Sequence, residues 1–155
     1  FSSFAKLGET DFKEIDLKEI IKSAVDVYNW TNGVEVVFES NHDLNVFADK
    51  DQMLRVFNNL IKNAIQAIPA SKDGLVKVYT ERDADFLKIV VEDNGKGISK
   101  ENYNRIFVPN FTTKNSGMGL GLAMVQKIIE NMGGQIYFET KEQMGTKFII
   151  ELKIQ

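Results

Sequence analysis

The sequence predicts a two-layer α/β fold of the α+β kind, a mixed and largely antiparallel sheet covered on one face by about three helices. Three observations predict it. Three stretches carry apolar residues at the 3.6-residue period of an amphipathic helix, and shorter β-branched or aromatic stretches come in pairs around polar turns. The length, 155 residues with 43% hydrophobic and 26% charged content, suits one compact domain with a real core. Helices and strands that each carry one apolar face bury them against one another, which stacks helices on a sheet.

Each element follows in order. Leu17, Ile20, Ile21, Ala24, Val25 and Tyr28 recur at helical spacing and define the first helix. "VEVVFES" and "LNVFA", separated by the polar "NHD", read as two strands joined by a turn. Asp49 with Gln52 three residues on has the form of a capping box, and the longest helical pattern continues from there to Ile68, where Pro69 stops it. "LVKVYTE" and "FLKIVVE" flank "RDAD" as a hairpin. Residues 94–118 are glycine-rich and polar without sustained period, apart from a short helical turn behind Ser99. A third helix runs from about Leu120 to Met132 and ends at Gly133 and Gly134. "QIYFET" and "GTKFIIELKI" close the chain as two strands around a turn at "KEQM". Only the first dozen residues are not clearly tied to the rest.

Composition narrows the function classes. A net charge of −3 and a pI near 5.3 argue against nucleic acid or an anionic membrane surface as partner. With no cysteine, disulfides and thiolate zinc sites are excluded, and a reducing compartment is compatible, which makes the cytoplasm the expected location. No apolar run approaches the ~20 residues needed to cross a bilayer, and the opening residues lack the pattern of a secretory leader.

Chemistry is expected in the long loop, because a segment of about 25 residues without secondary structure is unusual inside a compact domain. At its end "SGMGLGLA" places Gly117, Gly119 and Gly121 at alternate positions before a helix. The spacing is GxGxG, not GxGxxG, and no GxxxxGK[ST] occurs, so dinucleotide-fold and Walker readings fail. A glycine-rich turn opening a helix presents unpaired N–H groups to an anion such as phosphate, although a simple hinge explains the same glycines equally well. In "VEDNGKG" the Asn-Gly pair suggests a hairpin turn, yet no returning strand follows Gly97. Leu87, Ile89 and Val91 share a strand face, and the next residue on it is Asp93. A carboxylate at the edge of an apolar interior needs donors, and a ligand's amino group supplies one better than a turn cap does. On the long helix Arg55, Asn59, Lys62, Asn63 and Gln66 fall within an arc of roughly 80–100°. This face is either ordinary solvated surface or a set of oxygen donors and positive charge suited to a magnesium-phosphate group. His42, the single histidine, lies between two strands and reads as a turn or surface residue.

In chain order the sequence holds an N-box-like "NNLIKNAIQA", a G1-box-like "DNGKG", an F-box-like "IFVPNFTTK" and a G2-box-like "GMGLGL", ending in "GTKF". This set resembles the catalytic ATP-binding domain of bacterial sensor histidine kinases, of the GHKL superfamily, from the first helix to the C-terminus. The resemblance implies the Bergerat α/β sandwich, with ATP between the long helix and a lid. It makes Asn63 the Mg²⁺ ligand with Asn59 assisting and Lys62 beside them. It has Asp93 accept from the adenine amino group, with Gly95, Gly97 and Ile98 along the base. Such an acceptor selects ATP over GTP, whose O6 is itself an acceptor. It places Thr112, Thr113 and Lys114 in the lid, and Gly117, Met118, Gly119, Leu120 and Gly121 at the triphosphate. Thr146 closes the adenine pocket through its hydroxyl.

By the same resemblance residues 1–12 are the tail of a dimerisation helix and residues 13–155 the ATP-binding domain. The family's F-box commonly has a second aromatic where this chain has Asn110, a difference that bears on lid packing. The implied function is to present the γ-phosphate of Mg²⁺-ATP to a histidine on a dimerisation domain of the same parent, for relay to a response regulator receiver domain. The isolated chain is then expected to be monomeric and its parent homodimeric, cytosolic or membrane-anchored with this domain facing the cytoplasm. Two alternatives belong to other classes, an ATPase of the same superfamily and a nucleotide sensor without kinase activity. The ATPases place a glutamate one turn before the metal-binding asparagine, where this chain has Asn59.

Overall fold

The computed structural model describes residues 10–109, 111 and 121–153. Its strands are β1 (Lys13–Asp16), β2 (Val34–Glu39), β3 (Asn45–Ala48), β4 (Gly74–Arg82), β5 (Phe86–Asp93), β6 (Gln135–Lys141) and β7 (Gly145–Lys153). Its helices are α1 (Leu17–Tyr28), α2 (Lys50–Gln66) and α3 (Gly121–Asn131), with one 3₁₀ turn at Lys100–Asn102. Five strands form a sheet in the order β2-β4-β5-β7-β6. All its neighbours are antiparallel except β2 and β4, which run parallel. A parallel pair needs a long crossover, and here β3 and α2 supply it.

The three helices lie on one face. Val36, Val78, Ile89, Val91 and Ile150 from the sheet meet Ile21, Phe57, Leu60, Ile61, Val125 and Ile129 from the helices in one buried core. Phe57 is wholly buried. The helix starts are capped as their sequences ask. Asp16 accepts from Lys18 N–H at the start of α1, and Asp49 accepts from Gln52 N–H at 3.0 Å at the start of α2. The second Asp49 oxygen accepts from Asp11 N–H at 2.7 Å. Burial works against the Asp49 charge, but the backbone donors of Asp11, Gln52 and Asp51 outweigh it and hold the carboxyl below its ordinary range. Gln52 does not complete the capping box. It is buried, and its amide nitrogen has no hydrogen-bond partner among the described residues.

Two expectations are corrected. The stretches 34–40 and 44–48 are both strands but do not pair as a hairpin. β2 joins the main sheet beside β4, whereas β3 pairs antiparallel with β1 in a separate two-stranded sheet. The intervening polar residues anchor the end of the main sheet. Ser40 Oγ lies 2.7 Å from Thr80 Oγ1, His42 Nδ1 lies 2.8 Å from the same atom, and the chain turns away there. The second correction is β1 itself, four residues whose single buried position, Ile15, carries no periodicity to detect. Phe12, just before it, stacks edge-on against Phe47 of β3 at 5.9 Å.

Candidate functional site

Strand parity delivers Asp93 where the sequence places it. Leu87, Ile89, Val91 and Asp93 are all buried on the inner face of β5, and Asp93 is only 5% exposed. Burial pushes its carboxyl up to about 6. The backbone N–H groups of Gly95 and Thr146 and the charge of Lys72 pull in the opposite direction, and Glu92 adds to the rise. The Gly95 N–H donates to Asp93 Oδ1 at 2.8 Å, so one carboxylate oxygen is held by the following loop.

That loop is not a hairpin turn. Asn94 turns its side chain back to the beginning of β4, where Oδ1 accepts from Leu75 N–H at 2.9 Å and Nδ2 donates to the Asp73 carbonyl at 2.9 Å. Lys96 N–H donates to the Ala67 carbonyl at the end of α2, at 3.0 Å. Gly95 packs against that carbonyl so closely that a Cβ has no room. On the other side Gln143 N–H donates to the Lys96 carbonyl at 2.7 Å, which ties the β6–β7 turn to the same loop. Gly97 has φ +76° and faces the Lys141 carbonyl, and Gly145, with φ +131°, packs on the Asp93 carbonyl. These three glycines let three backbone segments converge around one carboxylate.

A cavity of about 290 Å³ lies at this end of the sheet, where Asp93, Thr140 and Thr146 share its lining with Glu92, Glu139 and Lys147 from the row on the opposite face. Thr146 is buried and stands in register opposite Asp93. Thr140 Oγ1 lies 2.8 Å from Thr146 Oγ1 and also receives the Ile98 N–H at 2.9 Å. Asp93, Gly95, Gly97, Ile98 and Thr146 thus meet at one place.

The second group lies on α2. Asn59 and Asn63 are half-buried one turn apart, and Lys62 is exposed beside them. Asn59 Nδ2 donates to the Arg55 carbonyl at 3.2 Å, while its Oδ1 lies against Gly121, the first residue of α3. The space a Gly121 side chain would fill is taken by that amide, which explains why glycine opens the helix. The predicted residues Thr112, Thr113, Lys114, Gly117, Met118, Gly119 and Leu120 lie outside the described residues, as does Asn110. Just before them, Tyr103 and Phe107 pack on Phe138, and Phe107 also meets Phe148 edge-on.

Three residues of the site were missed in the sequence. Asn94 was absorbed into an apparent turn. Gly145 had a signal, since it directly precedes Thr146. Thr140 had only its parity with Ile136 and Phe138, which marks a strand face and no chemistry.

The buried carboxylate and the asparagine-bearing helix belong to one sandwich of three helices on a five-stranded sheet. Residues 48–155 match the family described as histidine kinase-, DNA gyrase B-, and HSP90-like ATPase, and the chain belongs to that family. Within it the chain belongs with the catalytic domains of histidine kinases. It is 34% identical to the catalytic domain of histidine kinase ThkA, with a TM-score of 0.82 over 93% of this chain and 96% of that one. It is 35% identical over 144 residues to the sensor histidine kinase ZraS of Escherichia coli K12, covering 90% of this chain and 30% of that protein. The chain therefore spans about a third of the length of such curated relatives. It also aligns with ThkA in a structure of that kinase with response regulator protein TrrA, at 32% identity and a TM-score of 0.76, over 93% of this chain and 42% of that one. Among the described residues no helix is long and apolar enough to cross a membrane.

Proposed function

We propose that this domain binds Mg²⁺-ATP and presents the γ-phosphate to a histidine on a dimerisation domain of the same parent protein. The parent then passes the phosphoryl group to a response regulator receiver domain. The observation that carries the base end of this reading is Asp93, a buried acceptor around which backbone segments converge at Gly95, Gly97 and Gly145. The adenine amino group donates to Asp93, Ile98 and Thr146 border the base, and the triphosphate extends toward α2 and the start of α3. Lys62 faces the phosphates from α2, and by the family resemblance Thr112, Thr113 and Lys114, outside the described residues, would belong to the lid. Backbone amides of Gly117, Met118, Gly119, Leu120 and Gly121 meet phosphate oxygens at a helix start, where the dipole favours negative charge.

The donor set on α2 fits magnesium, because amide oxygens are hard, neutral ligands and Mg²⁺ takes few protein ligands when phosphates complete its shell. Among the described residues no three His, Cys, Asp or Glu side chains gather. Asn63 would hold the ion with Asn59 assisting, and the ion would offset phosphate charge. Phosphoryl transfer depends chiefly on positioning and charge stabilisation, which matches a site built of binding groups. The work is cytoplasmic, with residues 1–12 as the linker from the dimerisation helix and residues 13–155 as the catalytic domain of a homodimeric parent.

Calorimetric titration with a non-hydrolysable ATP analogue, with and without Mg²⁺, tests the site, and Asp93→Asn should weaken binding. Adding ATP and a histidine-bearing dimerisation hairpin from the parent tests the transfer. A phosphorylated histidine supports the kinase. Binding without transfer favours a nucleotide sensor, and steady hydrolysis by the chain alone favours an ATPase.

A further inference from the structure

We propose that Thr140 is a positioning residue for base selectivity, one that consumes the hydroxyl proton of Thr146 and thereby fixes Thr146 as an acceptor beside Asp93. This assignment rests on the base-binding role proposed above for Asp93. The carrying observation is a proton count at Thr140 Oγ1, which has three partners. Ile98 N–H donates to it at 2.9 Å, the Gly145 carbonyl accepts from it at 3.0 Å, and Thr146 Oγ1 lies 2.8 Å away.

A hydroxyl has one proton and two lone pairs. An amide N–H acts only as donor, so Ile98 occupies one lone pair. A carbonyl acts only as acceptor, so Gly145 takes the proton. What remains at Thr140 is a lone pair, and in the contact with Thr146 the proton must come from Thr146. Thr146 stands in register with Asp93, and both are buried on the inner face of the sheet. With its proton committed to Thr140, Thr146 offers a base held at Asp93 lone pairs alone, as an ionised Asp93 does. Two acceptors side by side suit a purine 6-amino group and repel a 6-carbonyl oxygen. Selectivity then depends on a threonine that need not touch the base.

The test compares dissociation constants of ADP and IDP for the whole chain in wild type, Thr140→Val, Thr140→Ser and Thr146→Val, with thermal unfolding as the check on folding. Thr140→Val releases the Thr146 hydroxyl to turn toward a base held at Asp93 and donate to the 6-carbonyl, so the preference for ADP over IDP should fall by roughly tenfold, about one neutral hydrogen bond. Thr140→Ser keeps the hydroxyl and should keep the wild-type ratio. Thr146→Val removes the second acceptor and should lower the ratio as well, which preserves the test should Thr140→Val fail to fold. A merely structural Thr140 weakens both nucleotides equally, and an unchanged ratio in either valine variant overturns the assignment. Failure of the underlying site looks different, because Asp93→Asn then leaves ADP affinity unchanged.

Discussion

Asp93 is costly to the free protein in the form its proposed ligand needs. Its ordinary value of 3.8 rises to about 6 in the fold, with burial the leading cause. A raised carboxyl contributes stability that is complete below about 3.8 and lost as pH climbs to about 6, and the two-unit gap corresponds to on the order of 2–3 kcal/mol. Asp93→Asn cannot titrate, so its stability relative to wild type should improve across that window. Urea unfolding at pH 4 and pH 8 should show a gap that grows with pH, and a constant gap would contradict the burial cost. Nucleotide affinity should move the other way, because an amino donor prefers the carboxylate. Wild-type binding should weaken below pH 6, while Asp93→Asn binds ten- to a hundredfold more weakly at pH 8, about the worth of one charge-assisted hydrogen bond. Gly145 is constrained from the same side. Its φ of +131° and its contact with the Asp93 carbonyl leave no space for a methyl group. Gly145→Ala should destabilise the fold by about 1–3 kcal/mol, measured by urea unfolding, since backbone and not a flexible side chain must give way.

At the scale of elements, the main sheet meets water on the face opposite the helices without leaving its apolar residues wet. Tyr79, Val90, Ile149 and Tyr137 stand in one cross-strand row over β4, β5, β7 and β6. Val90 is 1% exposed and Ile149 5%, although among the described residues no helix covers them. The flanking tyrosines donate their hydroxyls on the same face to Glu92 at 2.8 Å and Glu151 at 3.3 Å. Lys147 and Lys88 meet the same two glutamates at 3.8 Å. Ile149→Ala should therefore behave as a core truncation, costing about 2–4 kcal/mol by chemical denaturation, where a wet face would give a few tenths. Elements such as α1 and α2 were legible because each has one dry face and therefore a clean period, and the β4–β5 hairpin because two β-branched runs flank the polar residues 82–85. β3 was legible as a strand and misleading as a partner. Adjacency in sequence favours pairing with β2, but the pairing that forms joins it to β1, whose one buried residue is invisible to any pattern. Pairing is a tertiary choice, and local propensity does not contain it.

On the scale of the whole molecule the proposed site has two ends on different parts of the chain, the carboxylate end around β5, β6 and β7 and the asparagine end on α2 and the start of α3. The sequence singled out Asp93, a carboxylate on an apolar strand face, and left the asparagine face of α2 open between solvated surface and ligand donors. It did not reveal what joins the two ends, because Asn94, Thr140 and the loop contact to Ala67 are long-range hydrogen bonds between ordinary polar groups. A ligand that bridges both ends binds the folded chain alone, so it should stabilise the whole domain. At a free concentration one hundred times its dissociation constant the gain is about 2.7 kcal/mol, or roughly 5–10 °C in Tm for a chain of this size. The two ends should be separable in that signal. With the ATP analogue held at the same concentration, Asp93→Asn should cut the shift to a few degrees whether or not Mg²⁺ is present. Asn63→Ala should keep the magnesium-free shift and lose the increment that Mg²⁺ adds. If both variants reduce the two signals in equal proportion, base and metal are not bound at distinct ends, and the nucleotide does not span from β5 to α2.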